Sequence, residues 1–256
     1  MARLTRALLI PALLLFATAS ANAGLIYFGT DQGNIYTVDT SNGDVVNVGD
    51  PGVTFTDVAF DPMGNLYGIT FSQLYSIDLG ANTATAAPGA LGAAGNGLAF
   101  DSSGTLYMSG DTGLYTVNTG TGNAAFQGGT GFASAGDLEF DGDGNLYMTA
   151  TGSPDSRLIG FGNPISLPGA LIGSDLGYTN VFGLAYAGNT MWGLSNQSLF
   201  TIDLVTGQGS APVFELDIED GEIVWGAAAA VPEPGTLVLV GSGLIALVLW
   251  RRRENG

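Results

Sequence analysis

The stretch Phe55–Thr70, FTDVAFDPMGNLYGIT, returns as NGLAFDSSGTLYMSG from Asn96, as AGDLEFDGDGNLYMTA from Ala135 and as VFGLAYAGNTMWGLS from Val181. An incomplete first copy begins LIYFGT at Leu25. The aligned aromatics Tyr27, Tyr67, Tyr107, Tyr147 and Trp192 are spaced 40, 40, 40 and 45 residues apart, the period of a four-stranded propeller blade. A second series, Tyr36, Tyr75, Tyr115, Ile159 and Phe200, marks another strand in each of five units.

Each unit has a physical logic. Val58/Phe60, Leu98/Phe100, Leu138/Phe140 and Leu184/Tyr186 alternate with Ala59, Ala99, Glu139 and Ala185, a period-2 strand. Asp61, Asp101 and Asp141 then cap turns that close on Gly64, Gly104 and Gly144, where glycine accepts positive φ. The next strand carries the Leu-Tyr pair. LYSID, LYTVN and LFTID come after it as a third strand, and the fourth is weakly written in every copy.

One unit buries neither face alone, so neighbouring units must cover each other. The first copy lacks its innermost strand, and Val224–Ala229 (VWGAAA) aligns with Val181–Tyr186 (VFGLAY). That segment is expected to pair with the first unit and close a ring, which removes the ends of the array. The fold expected is therefore all-β: a five-bladed β-propeller of roughly 40-residue, four-stranded repeats over residues 24–230. It resembles WD- or NHL-type propellers in architecture, without their signature dipeptides. An open β-solenoid is the alternative, since spacing alone does not demonstrate closure.

Composition narrows the chemistry. Among 256 residues there is no Cys, His or Lys, which excludes disulfides, thiolate or imidazole metal sites and His-based nucleophile pairs. Between Gly24 and Ala230, 21 acidic side chains face one basic residue, Arg157. Such a surface repels phosphate backbones, so nucleic acid is not an expected partner. Acidity that keeps an exported domain soluble explains this balance, and a cation-binding surface is the alternative.

Both ends point to export. Arg3 and Arg6 precede the apolar stretch Ala7–Phe16 and the small-residue segment ending Ala21-Asn22-Ala23. Residues 1–23 read as a helical signal peptide cut by signal peptidase after Ala23, with Ala21 and Ala23 forming the A-x-A site. Gly235–Trp250 is an uncharged apolar run, a little short of the roughly 20 residues of a perpendicular span. Arg251, Arg252 and Arg253 come directly after it and set a cytoplasmic side, leaving the repeats outside.

The order Val231-Pro232-Glu233-Pro234, transmembrane helix 235–250, Arg251-Arg252-Arg253 resembles the PEP-CTERM sorting signal, here over residues 231–256. The resemblance implies an inner-membrane intermediate, cleavage by an exosortase, and delivery to the cell surface or extracellular matrix of a Gram-negative bacterium that makes exopolysaccharide. The function expected is that of an exported, non-catalytic surface or matrix protein. Its propeller would bind exopolysaccharide or another envelope protein, or serve structurally. An extracellular hydrolase or lyase using paired carboxylates is the alternative.

Within the repeats, Asp141, Asp143 and Asn145 place oxygens at alternate positions, as in the first half of a calcium loop. Leu146 and Gly152 stand where an EF-hand needs Gly and Glu, so a plain turn is the default and no cofactor other than Ca2+ comes into question. Gly120–Ala125 (GTGNAA) mimics a dinucleotide fingerprint but reads as a hairpin turn. Glu215, Asp217, Glu219, Asp220 and Glu222 read as a solvated connector. The loop TATGSPDSR of the fourth unit is longer than its counterparts and holds Asp155 and Arg157, candidate ligand-binding residues at one mouth of the ring.

Overall fold

The structure, a computed structural model, describes residues 24–230. The signal segment with Ala21 and Ala23, the motif residues Val231–Pro234, helix 235–250 and Arg251–Arg253 lie outside the described residues.

Among the described residues there are twenty strands and no helix. Blade 1 contains β1 (Leu25–Thr30), β2 (Ile35–Asp39) and β3 (Val45–Gly49). Blade 2 runs β4 (Asp57–Phe60), β5 (Leu66–Ile69), β6 (Leu74–Asp78) and β7 (Thr83–Ala86). Blade 3 runs β8 (Gly97–Phe100), β9 (Leu106–Gly110), β10 (Gly113–Val117) and β11 (Ala124–Gly129). Blade 4 runs β12 (Ser134–Phe140), β13 (Leu146–Ala150), β14 (Arg157–Gly162) and β15 (Ala170–Ile172). Blade 5 runs β16 (Val181–Ala187), β17 (Thr190–Ser195), β18 (Ser198–Ile202) and β19 (Phe214–Glu215).

The last strand, β20 (Val224–Ala229), returns to blade 1 as its innermost strand, giving the order β20-β1-β2-β3. Its register sets Phe28 opposite Ala227 and Ile26 opposite Ala229. The ring is closed, as the alignment of VWGAAA with VFGLAY anticipates. Five apolar clusters occupy the five blade boundaries, and the one between blades 5 and 1 joins Ile26, Phe28 and Val38 to Ala185, Leu194 and Leu199. An open solenoid would leave that boundary uncovered. Burial of side chains the size of Ile26 and Phe28, both 0% exposed, stabilises by about 1.5–3 kcal/mol each.

The inner strands differ from a half-buried period-2 strand in one respect: residues on both faces are covered. Val58 and Ala59 are both buried, as are Leu98 and Ala99, and Leu184 and Ala185. The alternation is therefore of large and small side chains. Ala59 packs in the same cluster as Leu98 of the next blade, and Ala99 in the same cluster as Leu138. A small residue on one blade makes room for a large one on its neighbour, which wedges the sheets around the axis.

The acidic connector departs from expectation at one residue. Glu222 is buried, accepting a hydrogen bond from Asn34 Nδ2 at 2.5 Å, with the buried Tyr36 hydroxyl beside it. Burial raises the Tyr36 phenol above its ordinary pKa, and the Glu222 charge adds to the effect. Asp31 Oδ1 accepts from the Ile223 N–H at 3.1 Å, and the Asp31 N–H donates to the Ile223 carbonyl at 3.1 Å. Glu222 thus clamps the incoming closing strand to the β1–β2 turn, and only the other acids of the string are left for solvent.

Closure makes a distant substitution visible in blade 1. The Ala230 N–H donates to Leu25 O at 2.9 Å, and by strand alternation the Ala228 N–H faces β1 as well. Ala228→Pro removes that donor from the middle of a pairing strand. Amide exchange between Ile26 and Val38 should accelerate by tenfold or more in the full chain. Unchanged protection there would show that β20 does not close the ring.

Candidate functional site

The ring axis brings together residues from every blade. One mouth is a cavity of about 440 Å³ lined by Thr56 and Phe71 of blade 2, Asn96 of blade 3, Gly136 of blade 4, Phe182 of blade 5 and Trp225 on the closing strand. Its lining carries aromatic, amide and hydroxyl side chains and no charge. Phe71 is 57% exposed, so its ring is available to a ligand. Asn96 is held by its Nδ2, which donates to the Ser134 carbonyl at 3.3 Å, while Thr56 Oγ1 donates across a blade boundary to the Gly95 carbonyl at 3.2 Å. These cross-blade bonds fix the rim.

A second depression, about 330 Å³, adjoins the mouth and shares Ala135 and Phe182 with it. The TATGSPDSR loop lines it through Thr151, Gly152, Pro154 and Ser156. The long loop of blade 4 thus lines a depression beside the mouth. Asp155 lies on that loop and Arg157 opens β14 opposite Ala150; the depression is lined by Ser156 between them and by neither of the two.

Beneath the mouth lie two carboxyl groups that a reading of single motifs passes over. Asp57 and Asp137 are 1% and 0% exposed. Asp57 Oδ1 accepts from the Val58 N–H at 2.7 Å and Oδ2 from the Leu98 N–H at 2.6 Å. Asp137 Oδ2 accepts from the N–H groups of Leu184 at 2.5 Å and Ala227 at 3.2 Å, and the Leu138 N–H lies close to the same carboxyl. These five N–H groups occupy equivalent positions of the five inner strands. Burial pushes both carboxyls well above the ordinary range, and for Asp57 the neighbouring Asp137 charge adds to it.

The positions equivalent to Asp57 read Asp57, Gly97, Asp137, Gly183 and Gly226 around the ring. Space explains the glycines. A Cβ on Gly97 would come within 2.8 Å of the Asp137 carbonyl carbon, and one on Gly226 would fall onto the Asp57 carboxyl. The axis holds two side chains at this level. That column across the repeats, compared position by position, is the signal that could have revealed the pair.

One layer further on, Glu139 Oε1 accepts from the Phe140 N–H at 3.1 Å, and its carboxyl is also raised, by burial first and by Asp137 second. It lines the opposite mouth with Tyr186 and Ala228–Ala230. The chain leaves β20 at that end, away from Phe182 and Trp225.

Asp141, Asp143 and Asn145 form a turn like its sisters. Asp141 Oδ1 accepts from the N–H groups of Asp143 and Asn145 at 3.0 and 2.8 Å. Asp61 does the same for Met63 and Asn65 at 2.9 and 2.8 Å, and Asp101 for Ser103 and Thr105 at 2.9 and 2.8 Å. Gly64, Gly104 and Gly144 complete these turns at φ of 86°, 87° and 79°. Asp141 Oδ2 is taken by Asn145 Nδ2 and the Tyr147 hydroxyl, whose pKa is raised to about 12 by burial first and the Asp141 charge second. At Gly120–Ala125 the Gly122 N–H closes a hairpin turn on the Asn118 carbonyl at 2.7 Å.

Solved structures share this architecture at low identity. A symmetrical protein whose de novo evolutionary emergence is shaped by folding constraints is 18% identical with a TM-score of 0.53, over 81% of this chain and 99% of its own. The nidogen/laminin complex gives 13% and 0.52, over 83% of each chain. No curated protein matches the chain in sequence. Topology and likeness together define the class: a five-bladed, four-stranded β-propeller.

Residues 230–253 match the PEP-CTERM protein-sorting motif. The propeller is thus carried by a chain bearing an exosortase-type sorting signal, which implies export and membrane-anchored processing in a Gram-negative bacterium.

Because the Asp141 oxygens are spent on the turn, Asp141→Ala and Asp101→Ala should cost about the same, on the order of 1 kcal/mol each. A chelator should leave the wild-type Tm unchanged. A drop of several degrees on chelation, abolished by Asp141→Ala with Asp143→Ala, would reveal a calcium site instead.

Proposed function

We propose that the protein is a non-catalytic component of the cell surface or exopolysaccharide matrix, and that the mouth lined by Phe71, Phe182 and Trp225 binds a neutral glycan. The observation that carries this reading is the lining: three aromatic rings with Asn96 and Thr56 and no charged side chain. Flat apolar rings suit the C–H faces of a sugar, while amides and hydroxyls suit its edges. The strongly acidic surface opposes polyanions at long range, which favours an uncharged polymer.

The competing reading, a hydrolase or lyase with paired carboxylates, has a natural candidate pair in Asp57 and Asp137. Both lie under the floor of the mouth, out of contact with solvent, and three of their four oxygens are committed to backbone N–H groups. Acid-base work on a substrate requires a carboxyl within hydrogen-bond reach of it. The geometry favours a structural part for this pair.

Titration of the full chain with neutral oligosaccharides of one to six hexose units, and with oligogalacturonate as the anionic control, tests the reading. Trp225→Ala should weaken binding of the neutral series about tenfold or more, equivalent to about 1.4 kcal/mol. Binding indifferent to Trp225→Ala and Phe182→Ala would remove the mouth as the site.

Sorting has its own test. Protein recovered from the cell surface should begin at Gly24 and lack residues 235–253, and intact mass reads both ends at once. Retention of that segment would make it a simple anchor.

A further inference from the structure

We infer that Asp57 and Asp137 hold a single proton between them, forming a proton-binding site on the ring axis whose emptying loosens all five blades at once. The donors available to these side chains are accounted for. Val58 and Leu98 give their N–H groups to the two oxygens of Asp57, while Leu184 and Ala227 converge on Asp137 Oδ2. Asp137 Oδ1 remains buried without a donor. A proton carried by the neighbouring Asp57 carboxyl supplies the missing hydrogen: that carboxyl packs against Gly226, one residue from the Ala227 N–H that Asp137 accepts. No counter-cation offers itself, since Arg157 is the only basic residue from 24 to 230 and it opens the third strand of blade 4, away from the axis.

The charge balance points the same way. Five converging N–H dipoles suit one negative charge shared over the pair. Two adjacent carboxylates with no cation would repel in a dry site. The only other titratable side chains on the five inner strands are Glu139, beyond Asp137 on β12, and Tyr186 on β16. Both can add only negative charge, so neither relieves the pair. The proton belongs to the pair rather than to either residue.

The shared proton fixes the sign of the pH dependence. A proton kept in the folded ring at a pH where an unfolded aspartate, with a pKa of about 3.9, has lost it makes stability greatest in acid. Stability then declines as pH rises above that unfolded value toward the pair's own, raised pKa, at one proton's worth per pH unit. Self-repulsion of the acidic surface also grows with pH, so the readout must be local. Thr56, Gly136, Phe182 and Trp225 lie within two residues of Asp57, Asp137, Leu184 and Ala227, so the proton site and the mouth share one stretch of backbone in each of four blades.

Carbon-13 NMR of aspartate carboxyls in the full chain tests the assignment. The Asp57 and Asp137 signals should show one retained proton at pH 6, where surface aspartates have finished titrating. If both signals titrate with the surface aspartates below pH 5 while the fold persists, the shared proton does not exist. Asp57→Asn supplies a second arm, because it carries no titrating proton, its amide nitrogen replacing one of the two oxygens that accept from Val58 and Leu98. Between pH 5 and 7 the unfolding equilibrium constant of the wild type should rise about tenfold more per pH unit than that of Asp57→Asn. Equal slopes would overturn the proposal, and should the variant fail to fold, the wild-type spectra decide alone.

Discussion

A propeller turns the inner edge of every sheet toward one axis, and each of those edges carries backbone N–H groups with no strand to receive them. Buried unpaired donors cost as much as lost hydrogen bonds, so a narrow dry channel is untenable unless something on the axis accepts them. Asp57 and Asp137 do so for Val58, Leu98, Leu184 and Ala227, with the Leu138 N–H close by. Two side chains thereby tie the inner edges of the sheets together at the axis, beside side-chain packing and rim bonds such as Thr56 to Gly95. The same crowding dictates glycine at 97 and 226.

Closure depends on this arrangement as much as on strand pairing. Ala227 belongs to β20 and is separated from Asp137 by 90 residues, yet its N–H ends on that carboxylate. The closing strand is therefore held three ways: by its ladder to β1, by the axial carboxylate, and by Glu222 against Asn34. Blade 1, assembled from the two ends of the domain, thus has polar fastening beside its packing, as do the boundaries that Thr56–Gly95 and Asn96–Ser134 cross.

The fold was legible because its signals are local and repeated. Tyr67, Tyr107 and Tyr147 recur at a fixed interval, and Asp-x-x-Gly turns fall between strands in three blades with the same hydrogen bonds. The closing strand was legible as a fifth copy of one strand. Information at right angles to the chain escaped. Asp57 looks like any acid before a strand, and only the column Asp, Gly, Asp, Gly, Gly across the repeats shows that the axis admits two side chains. Glu222 escaped for a related reason: among four other acids it looks solvated, and its burial is set by Asn34 and Tyr36, nearly 190 residues away. The aromatic mouth was half legible. The long loop of blade 4 drew attention to that end of the ring, whereas Trp225 and Phe182 read simply as inner-strand residues.

The two ends of the axis consequently have different chemistry. At one, Phe71, Phe182 and Trp225 surround uncharged polar groups, and the wall beneath them is sealed by a hydrogen-bonded carboxyl pair. At the other, Glu139 and Tyr186 stand beside Ala228–Ala230, where the chain leaves the ring toward the sorting motif. Gly24 lies at that same end, since its carbonyl receives the Thr40 N–H and the neighbouring Leu25 carbonyl receives the Ala230 N–H. Residues 24 and 230 therefore lie at one end of the axis and the aromatic mouth at the other. Strand β20 thus runs from the aromatic mouth, where Glu222 meets Asn34, to the opposite end, so the sorting motif continues the chain from the end of the seam farther from the mouth.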